Sequence, residues 1–157
     1  MEKMLISGVA KDVNVARISV IGVPDEPGMA FKLFSRLAAK DINIDIILQS
    51  IGRDGTKDIT FTVSSSYLRD ALAILDSEFD HPNYIYDDNV AKVSIVGAGM
   101  ETHAGVASKM FEALYAAQVN IQMIATSEIK VSVLIDRADA DRAVRAIHSA
   151  FFSEALS

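Results

Sequence analysis

Two stretches of this sequence run through the same order of residue types. ARISVIGVPDEPGMAFKLFSRLAAKDINIDIILQS begins at Ala16, and AKVSIVGAGMETHAGVASKMFEALYAAQVNIQMIATS begins at Ala91. The offset is 75 residues at the first run and 77 between Gly28 and Gly105, because the second loop is longer by two. Beyond the glycines, Ala30, Lys32, Phe34, Leu37, Asn43 and Ile44 match Ala107, Lys109, Phe111, Leu114, Asn120 and Ile121. A repeat of this length is a duplicated domain, not a solenoid unit. Whatever one copy folds into, the other must fold into as well.

Each copy opens with a β-branched, apolar run (ARISVIG, AKVSIVG) that reads as a buried strand. A helix follows. Met29, Leu33, Leu37 and Ala38 recur at helical spacing with Lys32, Arg36 and Lys40 mostly opposite, and Val106, Met110, Leu114 and Ala117 repeat the pattern. INIDIILQSI and VNIQMIATSE are second strands; TKDITFTV (56–63) and IKVSVLI (129–135) are third strands. The turn GRDGT (52–56) signals a hairpin. Second helices are predicted over 64–79, opened by capping serines, and over 137–152. NYIYDD (83–88) closes the first copy as a short strand, followed by a short, stiff linker near 88–91.

This order, βαββαβ, is the ferredoxin-like α+β unit. The second copy lacks a fourth strand, while the segment from Leu5 to Ala10 is strand-like and unassigned. An unpaired sheet edge is a liability, so the N-terminal strand is expected to complete the sheet of the second domain. The expected division is an N-terminal strand segment over 1–15, one domain over 16–89 and a second over 90–157.

With 21 acidic and 15 basic residues the net charge is −6, which argues against nucleic acid or an anionic membrane as partner. There is no cysteine, so no disulfide or thiolate chemistry. No stretch approaches a membrane span and the N-terminus lacks a signal-peptide core, so a cytoplasmic location is expected. His103 has no second metal ligand at useful spacing, and no metal or cofactor is expected. Met4, Met100, Met110 and Met123 are expected to fill core or interface gaps. Asp87 and Asp88 fall in the linker, away from any cleft, and no catalytic residue is identified.

The loop VPDEPG is the chemically distinctive part. Pro24 and Pro27 stiffen it, and Gly28 permits close approach of a ligand or another backbone. The amides of Met29, Ala30 and Phe31 then form an anion seat backed by the helix dipole. Asp25 and Glu26 would repel a polyanion, and the phosphate-loop pattern is missing. A small zwitterion fits better, with its carboxylate on the amides and its ammonium on Asp25. The competing reading is a stiff helix entry and nothing more.

A strand, a D-x-P-G loop, an amphipathic helix and then INID resemble the ACT domain, a regulatory amino-acid-binding module. SIVGAGM and IATSEIKVSVLI narrow the resemblance to the tandem ACT domains of aspartate kinases, over nearly the whole chain. The resemblance implies a non-catalytic regulatory region that binds lysine and/or threonine and feeds back on a kinase. It also implies a homodimer through the ACT domains and a separate catalytic α subunit, as expected of a β subunit or an excised regulatory region. The regulatory subunit of acetolactate synthase, and more remotely a ferredoxin-like RNA-binding module, are the alternatives.

The resemblance and the loop chemistry together give the effector-binding candidates. In the first copy these are Asp25, Gly28, Met29 and Ala30, with Asn43, Ile44, Asp45 and Gln49 on the next strand. In the second copy they are Asn120, Ile121, Thr126, Ser127 and Glu128. Gln49 reads equally as a solvated strand residue, Asp45 as an exposed carboxylate, and the Thr-Ser-Glu run as a polar turn. The second loop, GAGMETHAG, lacks D-x-P-G, so it either takes a different effector or serves as an interface.

Overall fold

The computed structural model describes residues 6–80, 82–97 and 104–152. The elements are β1 (Ile6–Pro24), α1 (Met29–Ala39), β2 (Ile44–Gln49), β3 (Thr56–Ser64), α2 (Leu68–Glu78), β4 (Tyr84–Gly97), α3 (Ala104–Ala116), β5 (Ile121–Thr126), β6 (Lys130–Asp136) and α4 (Ala140–Phe152). The chain divides into two compact units. One is Asn14–Asp88; the other joins the described residues up to Val13 with those from Asn89 onward. Among the described residues, no helix is long and apolar enough to cross a membrane.

In the Asn14–Asp88 unit, β3 is central and antiparallel to both β1 and β2. Alternation along the strands sends Ala16, Ile18, Val20, Ile59, Phe61 and Val63 to one face, where they meet Leu33 and Leu37 of α1 and Ala71 and Leu75 of α2. Phe61 is fully buried and meets Phe34 edge-on, ring centroids 5.5 Å apart. Ala38, read from spacing as part of the apolar stripe, is exposed instead, and Phe34 packs inward. The aromatic ring at position 34 reaches core that a methyl group cannot. The second unit repeats the plan. β6 pairs with β4 and β5, and Val93, Ile95, Val131, Val133 and Ile135 meet Val106, Met110 and Leu114 of α3 and Ala143 and Ile147 of α4.

Two strands are longer than the sequence pattern indicates. β1 runs unbroken over 19 residues, and β4 runs unbroken over 14. Residues 88–91, expected as a linker, lie within β4, and Val90 and Ala91 there are buried. The apolar run from Val90 continues the pairing, so no turn residue interrupts the strand. The strand order sets β1 beside β4. Val9 and Val13 of β1 pack against the core of the second unit, and Lys11 Nζ bonds Asp141 Oδ1 on α4 at 2.7 Å. The N-terminal half of β1 therefore supplies the strand that the second copy lacks.

The serines expected to cap α2 do not do so. Ser65–Tyr67 form a 3₁₀ turn that leads into the helix, without a side-chain cap bond, and Ser64 Oγ and Ser66 Oγ bond each other at 3.1 Å. A tight turn satisfies these amides through the backbone instead. Met110 and Met123 are buried, as their core assignment requires, whereas Met4, Met100 and His103 lie outside the described residues.

Candidate functional site

The entry to α1 is built by three neighbouring segments. Pro24 ends β1 opposite Thr56, Gly28 takes the left-handed conformation at φ 92°, and α1 starts at Met29. No side chain caps this helix, and the first N–H to bond back is that of Lys32, to the Gly28 carbonyl at 2.9 Å. The amides of residues 29–31 precede that first helical bond, and such N–H groups point outward at a helix start.

The hairpin between β2 and β3 braces the loop. Asp54 and Gly55 have φ of 56° and 80°, both positive as a two-residue hairpin turn of the primed type requires. The Asp25 amide donates to the Gly55 carbonyl at 2.8 Å, and the Gly22 amide donates to Asp58 Oδ1 at 3.0 Å. Lys57 Nζ lies 3.3 Å from Asp25 Oδ1. The Asp25 carboxylate also occupies the space where a side chain at residue 52 would stand, so a substitution at Gly52 would push that carboxylate aside. Lys57, Asp58 and Gly52 escaped the sequence reading. The signal for them was the hairpin itself, whose register carries 52–58 back onto 22–25.

The first-copy candidates fall at two ends of the unit. Asp25, Gly28, Met29 and Ala30 gather at the loop and helix start, and Gln49, the exposed last residue of β2, leads into the bracing hairpin. Met29 is half-buried and lines a cavity of ≈ 270 Å³ with Val20, Val23, Pro24, Phe79 and Asn83. Asn43 and Ile44 stand at the opposite end of β2, where they line a second cavity of ≈ 370 Å³ with Phe34, Ala38, Asp41 and Ile47. Asp45 is exposed one residue further along. Five steps of strand at about 3.3 Å each separate Ile44 from Gln49 by roughly 16 Å. That is too far for one free amino acid to touch both ends of the same strand.

The second-copy candidates divide likewise. Asn120 is exposed, and Ile121 is half-buried against the core at the start of β5. Thr126, Ser127 and Glu128 are exposed at its far end. Ser127 closes the turn into β6: its amide donates to the Lys130 carbonyl at 2.8 Å, and its hydroxyl accepts from the Ile129 amide at 3.4 Å. Ser50 does the same work in the first copy, accepting the Asp58 amide at 2.8 Å. Ser127 is thus a turn-forming residue by geometry. Among the described residues no group of three or more His, Asp or Glu is placed to hold a metal ion.

The ACT domain family matches residues 18–79 and again 93–151, and the chain belongs to that family as a tandem pair. Within it, the chain groups with the regulatory regions of aspartate kinases. It is 39% identical to the regulatory subunit of aspartate kinase from Thermus thermophilus in its ligand-free form, with a TM-score of 0.90, covering 94% of this chain and 99% of that one. A structure of aspartokinase alpha and beta subunits matches at 46% identity and a TM-score of 0.86, covering 93% of this chain and 98% of the matched one. An aspartate kinase from Stutzerimonas stutzeri is 49% identical over 154 residues, 96% of this chain. The chain spans 37% of the length of that relative.

Proposed function

We propose that this region senses lysine and/or threonine and transmits feedback inhibition to the catalytic α subunit of an aspartate kinase in the cytoplasm, without catalysis of its own. The observation that carries the reading is the uncapped start of α1. Gly28 turns the chain so that three consecutive amides lead the helix dipole, and Asp25 stands on the preceding turn. One end binds a carboxylate and the other an ammonium, which is the pattern of a free amino acid.

The two-ended placement of the candidates supports a second copy as part of the site. Asn43, Ile44 and Asp45 serve a ligand held at Asp25 only if they come from a homodimer partner. An effector shared between chains then biases one dimer arrangement over another, with a coupling free energy of about 1–3 kcal/mol. The similarity to a paired alpha and beta subunit structure supports a separate catalytic chain as the recipient.

Calorimetric titration with L-lysine, L-threonine and L-methionine tests this. Saturable heat with lysine or threonine is expected, together with a rise in Tm. The reading fails when neither lysine nor threonine produces heat or a thermal shift.

A further inference from the structure

We propose that Lys57 is a built-in competitor for the ammonium position of the amino-acid seat. The proposal rests on the reading of Asp25 as that position. The Lys57 ammonium sits 3.3 Å from Asp25 Oδ1, with its side chain only 17% exposed, while the Asp25 side chain is 43% exposed. A ligand arriving from solvent meets a carboxylate that already holds a cation. It must displace or share it against like-charge repulsion.

The loop does not need this ion pair for its shape. The Asp25 amide on the Gly55 carbonyl, the Gly22 amide on Asp58 and the Pro24–Thr56 pairing already fix the loop to the hairpin. What Lys57 adds is charge. The second copy gives an independent indication. Strand register matches Ser19–Thr60 to Ser94–Ser132, which sets Ile129 in the place of Lys57. The second loop, GAGMETHAG, also lacks the D-x-P-G aspartate. The first copy carries Lys57 together with the D-x-P-G aspartate, and the second has Ile129 at the matching strand position and no D-x-P-G.

The consequence is a seat tuned to be weaker than its geometry allows. A ligand ammonium gains less at Asp25 than it would at an unpaired carboxylate, because the Lys57 ammonium lies 3.3 Å from Oδ1. The test is titration of the full chain with L-threonine and with L-lysine, for wild type, Lys57→Met, Lys57→Arg and Asp25→Asn. Methionine keeps the apolar stem of Lys57 and removes its charge. Half-exposed ion pairs of this kind shift equilibria by up to about fivefold, so Lys57→Met should bind about fivefold more tightly than wild type. That gain should shrink as salt is added, and Lys57→Arg should restore wild-type affinity. A merely structural role for Lys57 would produce neither the salt dependence nor the gain.

Unchanged or weaker binding by Lys57→Met overturns the competitor role. So does a Lys57→Arg variant that behaves like Lys57→Met. When Asp25→Asn loses binding but Lys57→Met gains none, only this inference fails. If wild type binds neither probe, or Asp25→Asn binds as wild type does, the amino-acid seat itself fails and the competitor with it.

Discussion

The first helices of the two copies leave their last turns in the same way and enter their first turns differently. At the exits, Asp41 and Gln118 both sit at φ 58°, and the amides of Ile42 and Val119 reach back to the carbonyls of Leu37 and Leu114 at 3.1 and 2.9 Å. Lys32 lies 4.8 Å over the Phe79 ring and Lys109 lies 5.2 Å over Phe151. At the entries, Gly28 stands before α1 at φ 92°, whereas Gly105 lies inside α3 and is not among the glycines with positive φ. The exit aims the chain into an edge strand that the core requires, so both copies keep it. The entry lies at the surface, where the core does not constrain it and the sequence is free to differ between the copies.

The strongest test of the shared scaffold is the core. Phe61→Ala should cost about 3–5 kcal/mol, because it removes a fully buried ring and its edge-to-face partner contact. Val133 holds the corresponding register position beside Ser132, and Val133→Ala should cost about 2 kcal/mol. Urea unfolding of both variants measures the difference. Equal costs would mean that the two cores are not packed as described.

The entry difference predicts effects of opposite sign. A Cβ at either glycine meets open space, so only backbone conformation decides. Gly28→Ala places alanine in the left-handed region and should destabilise by about 1 kcal/mol. Gly105→Ala sits in a helix and should stabilise by about 0.4–1 kcal/mol. Thermal unfolding of the two variants should move Tm in opposite directions, and a shared direction would erase the contrast.

The smallest effects concern how one strand is pinned to the second helix in each unit. Tyr84 on β4 donates to Asp76 Oδ1 at 2.9 Å, and Lys11 on β1 donates to Asp141 Oδ1 at 2.7 Å. The hydrogen bond to Asp76 raises the Tyr84 pKa above its ordinary value, and the hydrogen bond from Lys11 lowers that of Asp141. A raised folded-state pKa gives stability that is present below the ordinary phenol range, about pH 10, and lost as pH rises through the folded value. A lowered one gives stability that is present above the ordinary carboxylate range, about pH 4, and lost as pH falls through the folded value. Amide protection, taken relative to the intrinsic exchange rate at each pH, should therefore fall near Tyr84 on the alkaline side and near Lys11 on the acid side. Tyr84→Phe and Asp141→Asn should each abolish the matching response.

The periodicity of buried and exposed residues made both βαββαβ units legible, because core burial writes directly into sequence spacing. Continuity of β1 and β4 was not legible: a segment boundary was expected after residue 15 and a linker near 88–91, yet both strands run through them. Asp25, Gly28, Met29 and Ala30 were legible as a group because they are contiguous. Lys57 lies across a hairpin from its partner, and only the register of β3 on β1 brings the two together. Ser127 was readable as a polar residue at a strand end, but not as the acceptor that closes its own turn.

The central claim is that the first copy, through its helix entry, is where an amino acid binds. The most direct measurement is a ¹⁵N NMR titration of the chain with L-threonine and L-lysine, following individual amides. The account predicts the largest shifts at Met29, Ala30 and Phe31, with smaller ones at Gln49 and Asp25, and none of comparable size at Val106 and Ala107 of α3. Shifts centred on α3 or on the Thr126–Glu128 turn, with residues 29–31 unmoved, would contradict it.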